Sequence, residues 1–187
     1  MTAATAPVGD AIADPVAELV ATHVDDVPDF PEPGVTFKDL TPLFADGPAF
    51  RRVVDSIVDH YRPGGFDVVA GIEARGFVIA AALAYAAGTG LVPVRKAGKL
   101  PRRTHAVSYA LEYGEATLEV HADAFAPGAQ VLVVDDVLAT GGTAQATLGL
   151  VERAGGVVVG LAVLLELSFL HGRDRLPSRD VHALLTV

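Results

Sequence analysis

Cysteine and tryptophan are absent from these 187 residues, and methionine occurs once. No disulfide can staple the chain, and no zinc site can draw on a thiolate. The histidines, His23, His60, His105, His121, His171 and His182, lack the close ligand spacing of a zinc site, so none is assigned to a metal. No uninterrupted apolar run approaches the length of a membrane-crossing helix, and no membrane association is expected. Basic residues are scarce as well. Fourteen Lys and Arg stand against 23 Asp and Glu, and the net charge of −9 opposes general affinity for nucleic acid or anionic surfaces. Any anion site must therefore be locally basic. The opening stretch, MTAATAPVGDAIADP, has neither the basic residues nor the apolar block of a signal peptide, so a cytoplasmic location is expected.

What is present suits a globular α/β domain. Apolar residues make up 51% and charged residues 20%, and the length favours a single domain, 1–187. Residues 1–10 carry no apolar period and read as a flexible arm before a helix around Ile12 to His23. The prolines of Pro28-Asp29-Phe30-Pro31-Glu32-Pro33-Gly34 hold an extended, loop-like approach to Phe37. From Pro48 to Tyr61, the positions Phe50, Val53, Val54, Ile57, Val58 and Tyr61 mark one helical face, and Pro63-Gly64-Gly65 stops it. Asp67 to Ile72 reads as a buried strand, followed by a turn, an Ala-rich helix from Phe77 to Ala87 ending at Gly88, and a strand from Leu91 to Arg95. The same order returns in strand Val131 to Val134, a Gly-rich turn, helix Thr143 to Ala154 and strand Val157 to Leu165. Strand, loop, helix, strand implies parallel pairing. Ala106 to Tyr113 and Ala116 to His121 flank Gly114 as a hairpin projecting from that sheet.

The stretch Val131-Leu132-Val133-Val134-Asp135-Asp136-Val137-Leu138-Ala139-Thr140-Gly141-Gly142-Thr143 has a chemical reading. The apolar residues bury the strand, and the carboxylates are expected beyond its end. Ala139, Thr140, Gly141, Gly142 and Thr143 can bring main-chain N–H groups close to an oxyanion, with the positive end of the following helix behind them. That is a monophosphate cradle. Asp135 and Asp136 repel a phosphate and are better suited to accept hydrogen bonds from sugar hydroxyls. Phosphate plus ribose points to a phosphoribosyl ligand. Taken alone, an Asp-Asp pair and two glycines also serve simply to cap and close a tight turn. A Walker P-loop is excluded, because no Gly-Lys-Ser/Thr follows.

The complete string resembles the motif by which type I phosphoribosyltransferases bind phosphoribosyl pyrophosphate (PRPP). Further segments resemble the adenine phosphoribosyltransferase family in matching order: Phe30 to Leu43, Gly71-Ile72-Glu73-Ala74-Arg75-Gly76-Phe77, Pro93 to Pro101 running into Tyr109 to Gly114, and Leu165-Glu166-Leu167 with Gly172-Arg173. The resemblance implies a mainly parallel twisted sheet flanked by helices, with a projecting hairpin and a small hood over the site. The hood would be 28–43 and 165–176, and the flexible loop and hairpin 96–121. It implies purine salvage: adenine and PRPP give AMP and pyrophosphate, with Mg2+ as cofactor held mainly by substrate oxygens and water. By the same resemblance Glu73, Ala74, Arg75, Arg95, Lys96 and Lys99 bind pyrophosphate, with the Glu73–Ala74 peptide usually cis. Thr36, Phe37 and Lys38 bind adenine, Leu167 covers its other face, Glu112 exchanges a proton with the purine, and the molecule is a homodimer. Each residue alone has a plainer reading, as a solvated charge or a core side chain. Two rival functions stay open: a phosphoribosyltransferase for hypoxanthine, guanine or xanthine, and a PRPP-sensing regulator with the same fold.

Overall fold

A strand that is apolar at consecutive positions must be covered on both faces, and that requirement organises this molecule. The computed structural model describes residues 14–62, 65–110 and 114–187. In chain order the elements are α1 (Pro15–Ala21), β1 (Asp25–Pro28), β2 (Thr36–Asp39), α2 (Thr41–Ala45), α3 (Gly47–Tyr61), β3 (Val68–Ile72), α4 (Gly76–Ala87) and β4 (Gly90–Lys96). Then come β5 (Thr104–Ala110), β6 (Glu115–His121), β7 (Gln130–Leu138), α5 (Gly142–Arg153), β8 (Val157–Glu166) and β9 (Val181–Thr186), with two short 3-10 turns at Ser168–Leu170 and Gly172–Arg175.

Seven strands form one sheet in the order β5-β6-β4-β3-β7-β8-β9, and a separate two-stranded sheet joins β1 to β2. From β4 to β9 the pairings are parallel; β6 joins β4 and β5 antiparallel. Helices α3 and α4 cover one face: Val53, Ile57, Ile79 and Leu83 pack with Val69, Leu132 and Val134. Helix α5 covers the other, where Leu148, Leu150 and Val151 pack with Ala70, Ile72, Val131 and Val133. Alternate residues of β3 and β7 thus feed opposite layers, as the period of a strand requires. Full burial of each such Leu, Ile or Val contributes about 1.5–3 kcal/mol.

The expected βαβ units are present: β3-α4-β4 and β7-α5-β8, each helix crossing between parallel neighbours. The first unit steps away from β3 on one side and the second away from β7 on the other, while β3 and β7 pair directly. Such a reversal opens a crevice at the carboxyl ends of the two central strands. The turn at 73–75 follows β3 there and reaches β7 through Arg75 and Asp136, and the turn at 139–141 follows β7.

Several expectations are corrected. The first helix starts at Pro15, capped by the Asp14 side chain, so it is shorter than Ile12 to His23; residues 1–13, including the proposed arm, lie outside the described residues. The Pro-rich approach is bracketed by the β1-β2 ribbon, where Val27 faces Phe37. The hairpin expected to project from the parallel sheet is rooted on it, since β6 pairs with β4 through Arg95↔Glu119 and Lys96↔Leu118. β7 does not end before the acids, because β8 stays paired with it to Leu138, and Asp135 and Asp136 lie within the strand. The far edge, open in the sequence, is β9, parallel to β8.

Candidate active site

The phosphate-type turn sits between two close backbones. Gly141 adopts φ +80, a left-handed conformation that disfavours side chains, and a Cβ there would fall 2.3 Å from the Gly172 carbonyl oxygen. Reciprocally, a Cβ on Gly172 would fall 2.1 Å from the Ala139 carbonyl oxygen. Two glycines distant in sequence therefore let the turn close against the 3-10 turn that follows β8. Gln145 N–H donates to Gly141 O at 2.9 Å and begins α5, leaving the first N–H groups of the helix without helical partners. Asp135, Ala139, Thr140, Gly141 and Thr143 line a cavity of ≈ 80 Å³. The sequence-assigned cradle residues are thus brought together.

The acids stand where the face alternation of β7 slips. Val134 and Val137, three positions apart, pack against the same cluster, whereas Leu138 joins the cluster of Val131 and Val133. Asp136 N–H donates to Asp135 Oδ1 at 2.9 Å. Burial, and then the Asp136 charge beside it, push the Asp135 carboxyl well above the usual carboxylate range. Arg75 Nε lies 2.6 Å from Asp136 Oδ2, an ion-pair contact without hydrogen-bond direction, since that buried oxygen accepts no hydrogen bond among the described residues. Among those residues its charge is met there by the guanidinium alone.

Arg75 also connects the acids to an aromatic corner. Its guanidinium carbon lies 4.7 Å from the centre of the Phe37 ring, and Phe30 packs edge-on to Phe37 at 5.1 Å between centroids. Val27, Phe30, Phe37, Asp39, Thr41 and Arg75 line an apolar cavity of ≈ 350 Å³ beside the acids. Asp39 accepts hydrogen bonds from the Thr41 N–H at 3.0 Å and hydroxyl at 2.7 Å, which lower its pKa and fix the wall of the cavity. Of the hood residues assigned from sequence, Phe37 lies here. Lys38 instead pairs with Asp26 at 2.6 Å and clasps the β1-β2 ribbon, and Thr36 stands opposite Pro28 at its end. Leu167 is not among the residues lining this cavity; its N–H donates to Leu138 O at 2.9 Å just beyond β8. Val27, Phe30, Asp39 and Thr41 carry no role in the sequence reading beyond membership of the 28–43 hood, apart from Val27, which lies just before it.

The Glu73–Ala74 peptide is cis, as the family resemblance implied. Beyond it, the basic group gathers on the Glu73 carboxylate: Arg95 Nε approaches at 3.3 Å, Lys96 N–H donates at 3.0 Å, and Lys99 Nζ forms a close ion pair. Lys99 above all, then the Lys96 N–H and the Arg95 charge, hold the Glu73 pKa below its usual value. Glu73 thus organises the cations. Glu112 lies outside the described residues. The described residues hold no group of three or more His, Asp or Glu arranged to ligate a metal, and no described helix is long and apolar enough to cross a membrane.

Known proteins resemble this chain along most of its length. The phosphoribosyl transferase domain model matches residues 44–182. The adenine phosphoribosyltransferase of Salinispora arenicola is 74% identical over 172 residues, covering 92% of each chain. Among solved structures, the adenine phosphoribosyltransferase of Rhodothermus marinus is similar at 49% identity and TM-score 0.88, over 92% of this chain and 98% of that one. The Saccharomyces cerevisiae enzyme, complexed with an imino-altritol bisphosphate and adenine, is similar at 36% identity and TM-score 0.87, over 91% and 98% of the two chains. With a closely similar relative along nearly the whole chain and a shared overall fold, the protein belongs to the adenine phosphoribosyltransferase family.

Proposed function

We propose that the protein transfers the phosphoribosyl group of PRPP to adenine, giving AMP and pyrophosphate. The observation that carries this reading is the position of Arg75, which touches both the Phe37 ring and the Asp136 carboxylate. Base cavity and ribose acids are thereby held one side chain apart, the span that a nucleoside requires. In this reading the 5′-phosphate rests on the main-chain N–H groups of Ala139 to Thr143, and the ribose hydroxyls donate to Asp135 and Asp136. Adenine enters the cavity against Phe37, with Thr36 and Lys38 offering main-chain groups and Leu167 approaching from the end of β8.

Chemistry proceeds by cleavage of the anomeric C–O bond as an adenine nitrogen attacks the opposite face, so positive charge develops on the ribose and negative charge on pyrophosphate. Arg75, Arg95, Lys96 and Lys99 meet the departing pyrophosphate, with Glu73 and Ala74 shaping the turn. The oxygen-only donors Asp135 and Asp136 suit water ligands of a hard cation such as Mg2+, whose charge would offset that of the leaving group. Glu112 exchanges the proton of the purine, and the 96–121 segment excludes water from the ribosyl cation. Partners are thus adenine, PRPP, AMP and pyrophosphate, in a cytoplasmic homodimer.

The test is product formation from PRPP with adenine, hypoxanthine, guanine or xanthine, each with and without Mg2+. AMP and pyrophosphate formed from adenine in the presence of Mg2+ is the expected result. Turnover of another purine in preference to adenine would overturn the base assignment, and binding of PRPP without any turnover would favour a sensor.

A further inference from the structure

The hairpin is tied to the phosphate turn by a contact that its lid role does not require. The Tyr109 hydroxyl on β5 lies 3.0 Å from Thr143 Oγ1, at the second residue of α5. Tyr109 Cδ2 also lies 3.5 Å from the position a Cβ on Gly142 would take, so the ring packs on the turn itself. Near the other end of α5, Arg153 donates to the Ala106 carbonyl at 3.0 Å, which aligns β5 along the helix. Both Tyr109 and Thr143 are half-buried.

A hydroxyl has one proton to give and two lone pairs to accept with. A phenolic O–H is the better donor of this pair; with Tyr109 as donor, the Thr143 proton is left to point elsewhere. Thr143 is among the residues lining the cavity under the turn, together with Asp135, Thr140 and Gly141. An anionic oxygen held by the turn is the acceptor best able to take that proton, and a chain of two donors polarises each link in the same direction.

We propose that Tyr109 is a positioning residue for the 5′-phosphate: it orients the Thr143 hydroxyl toward a phosphate oxygen and so couples the hairpin to phosphate occupancy. The inference rests on the reading of Ala139 to Thr143 as the phosphate turn. It gives the hairpin a second task, at the end of the ligand remote from the base.

Y109F keeps the ring and removes only the donor. Calorimetry with AMP and with adenosine, on the full chain, reads the effect directly. Y109F weakens AMP binding and raises KM for PRPP by roughly threefold to tenfold, the loss of one hydrogen bond. Adenosine affinity, KM for adenine and kcat stay within about twofold, because the contact serves the phosphate in ground and transition states alike. In a T143V background Y109F causes no further loss, and T143S, which restores a hydroxyl, restores the dependence on Tyr109. Unchanged AMP affinity in Y109F, or an equal loss in the T143V background or for adenosine, overturns the inference while leaving the phosphate turn in place. A wild-type protein that binds adenosine and AMP equally well overturns the phosphate reading itself.

Discussion

Gly172→Ala offers a sharp perturbation, because it places a single methyl group behind the phosphate turn without touching any ligand. Gly172 does not need the left-handed backbone, since its φ lies outside the positive range, so alanine adds no conformational penalty and the whole effect is steric. The new Cβ would fall 2.1 Å from Ala139 O, 3.0 Å from Ala139 C and 3.0 Å from Gly141 N, all main-chain atoms that cannot rotate away. Restoring ordinary contact requires the turn and the 3-10 segment to separate by about 1 Å. Displacing a positioning element by that amount costs about 100-fold in rate, or about 3 kcal/mol of transition-state stabilisation. The N–H groups of Ala139 to Thr143 carry that displacement directly, so kcat/KM for PRPP falls about 100-fold and AMP affinity falls with it. Steady-state kinetics and calorimetry measure the two losses, and circular dichroism confirms that the α/β fold persists. G172A that binds AMP within about twofold of wild type would refute the idea that this backbone contact shapes the phosphate site.

The other predictions concern the helix, the base cavity and the acids. Gly149 lies within α5 with nothing inside 4 Å of an added Cβ, so G149A raises stability by about 0.5–1 kcal/mol through helix propensity, read as a higher denaturant midpoint with unchanged AMP affinity. Phe37→Ala removes the aromatic wall of the base cavity and raises KM for adenine by roughly tenfold or more, the value of one base–aromatic stack, while KM for PRPP changes far less. Because the Asp135 pKa is raised, it takes up its proton on acidification before an ordinary carboxylate does, and the ionised form that accepts ribose hydroxyls is lost at a higher pH than an ordinary carboxylate would lose it. The ratio of wild-type to D135N affinity for ribose 5-phosphate, in which the ionisation of the phosphate cancels, therefore falls as pH is lowered and does so before the ordinary carboxylate range is reached; a ratio that changes only within that ordinary range would contradict this.

Local features of the site were legible in the sequence, and its closures were not. The run from Val131 to Thr143 announces a buried strand, paired acids and a helix start, because every part of that message lies within neighbouring residues. The amphipathic face of α3 and the left-handed stop of α4 at Gly88 are local in the same way. By contrast, the packing of Gly172 on Ala139 joins residues remote in sequence, and no local pattern encodes such a contact. The β1-β2 ribbon was hidden by prolines, which discourage a strand reading although the ribbon here has only four residue pairs. Charge partners are not legible in the sequence either. The Glu73 carboxylate gathers Arg95 and Lys99, a role visible only once β3 and β4 lie side by side. The extent of β7 depended on β8 remaining paired with it, so the acids that sequence placed after the strand are part of it.

The central claim is that the turn from Ala139 to Thr143 holds a sugar 5′-phosphate by main-chain N–H groups while Asp135 and Asp136 hold the ribose hydroxyls. A crystal structure with AMP bound tests it most directly. The account predicts the phosphate on that turn, both carboxylates within hydrogen-bond distance of the ribose, and the adenine ring against Phe37. A phosphate seated instead among Arg95, Lys96 and Lys99, with the turn unoccupied, would contradict it.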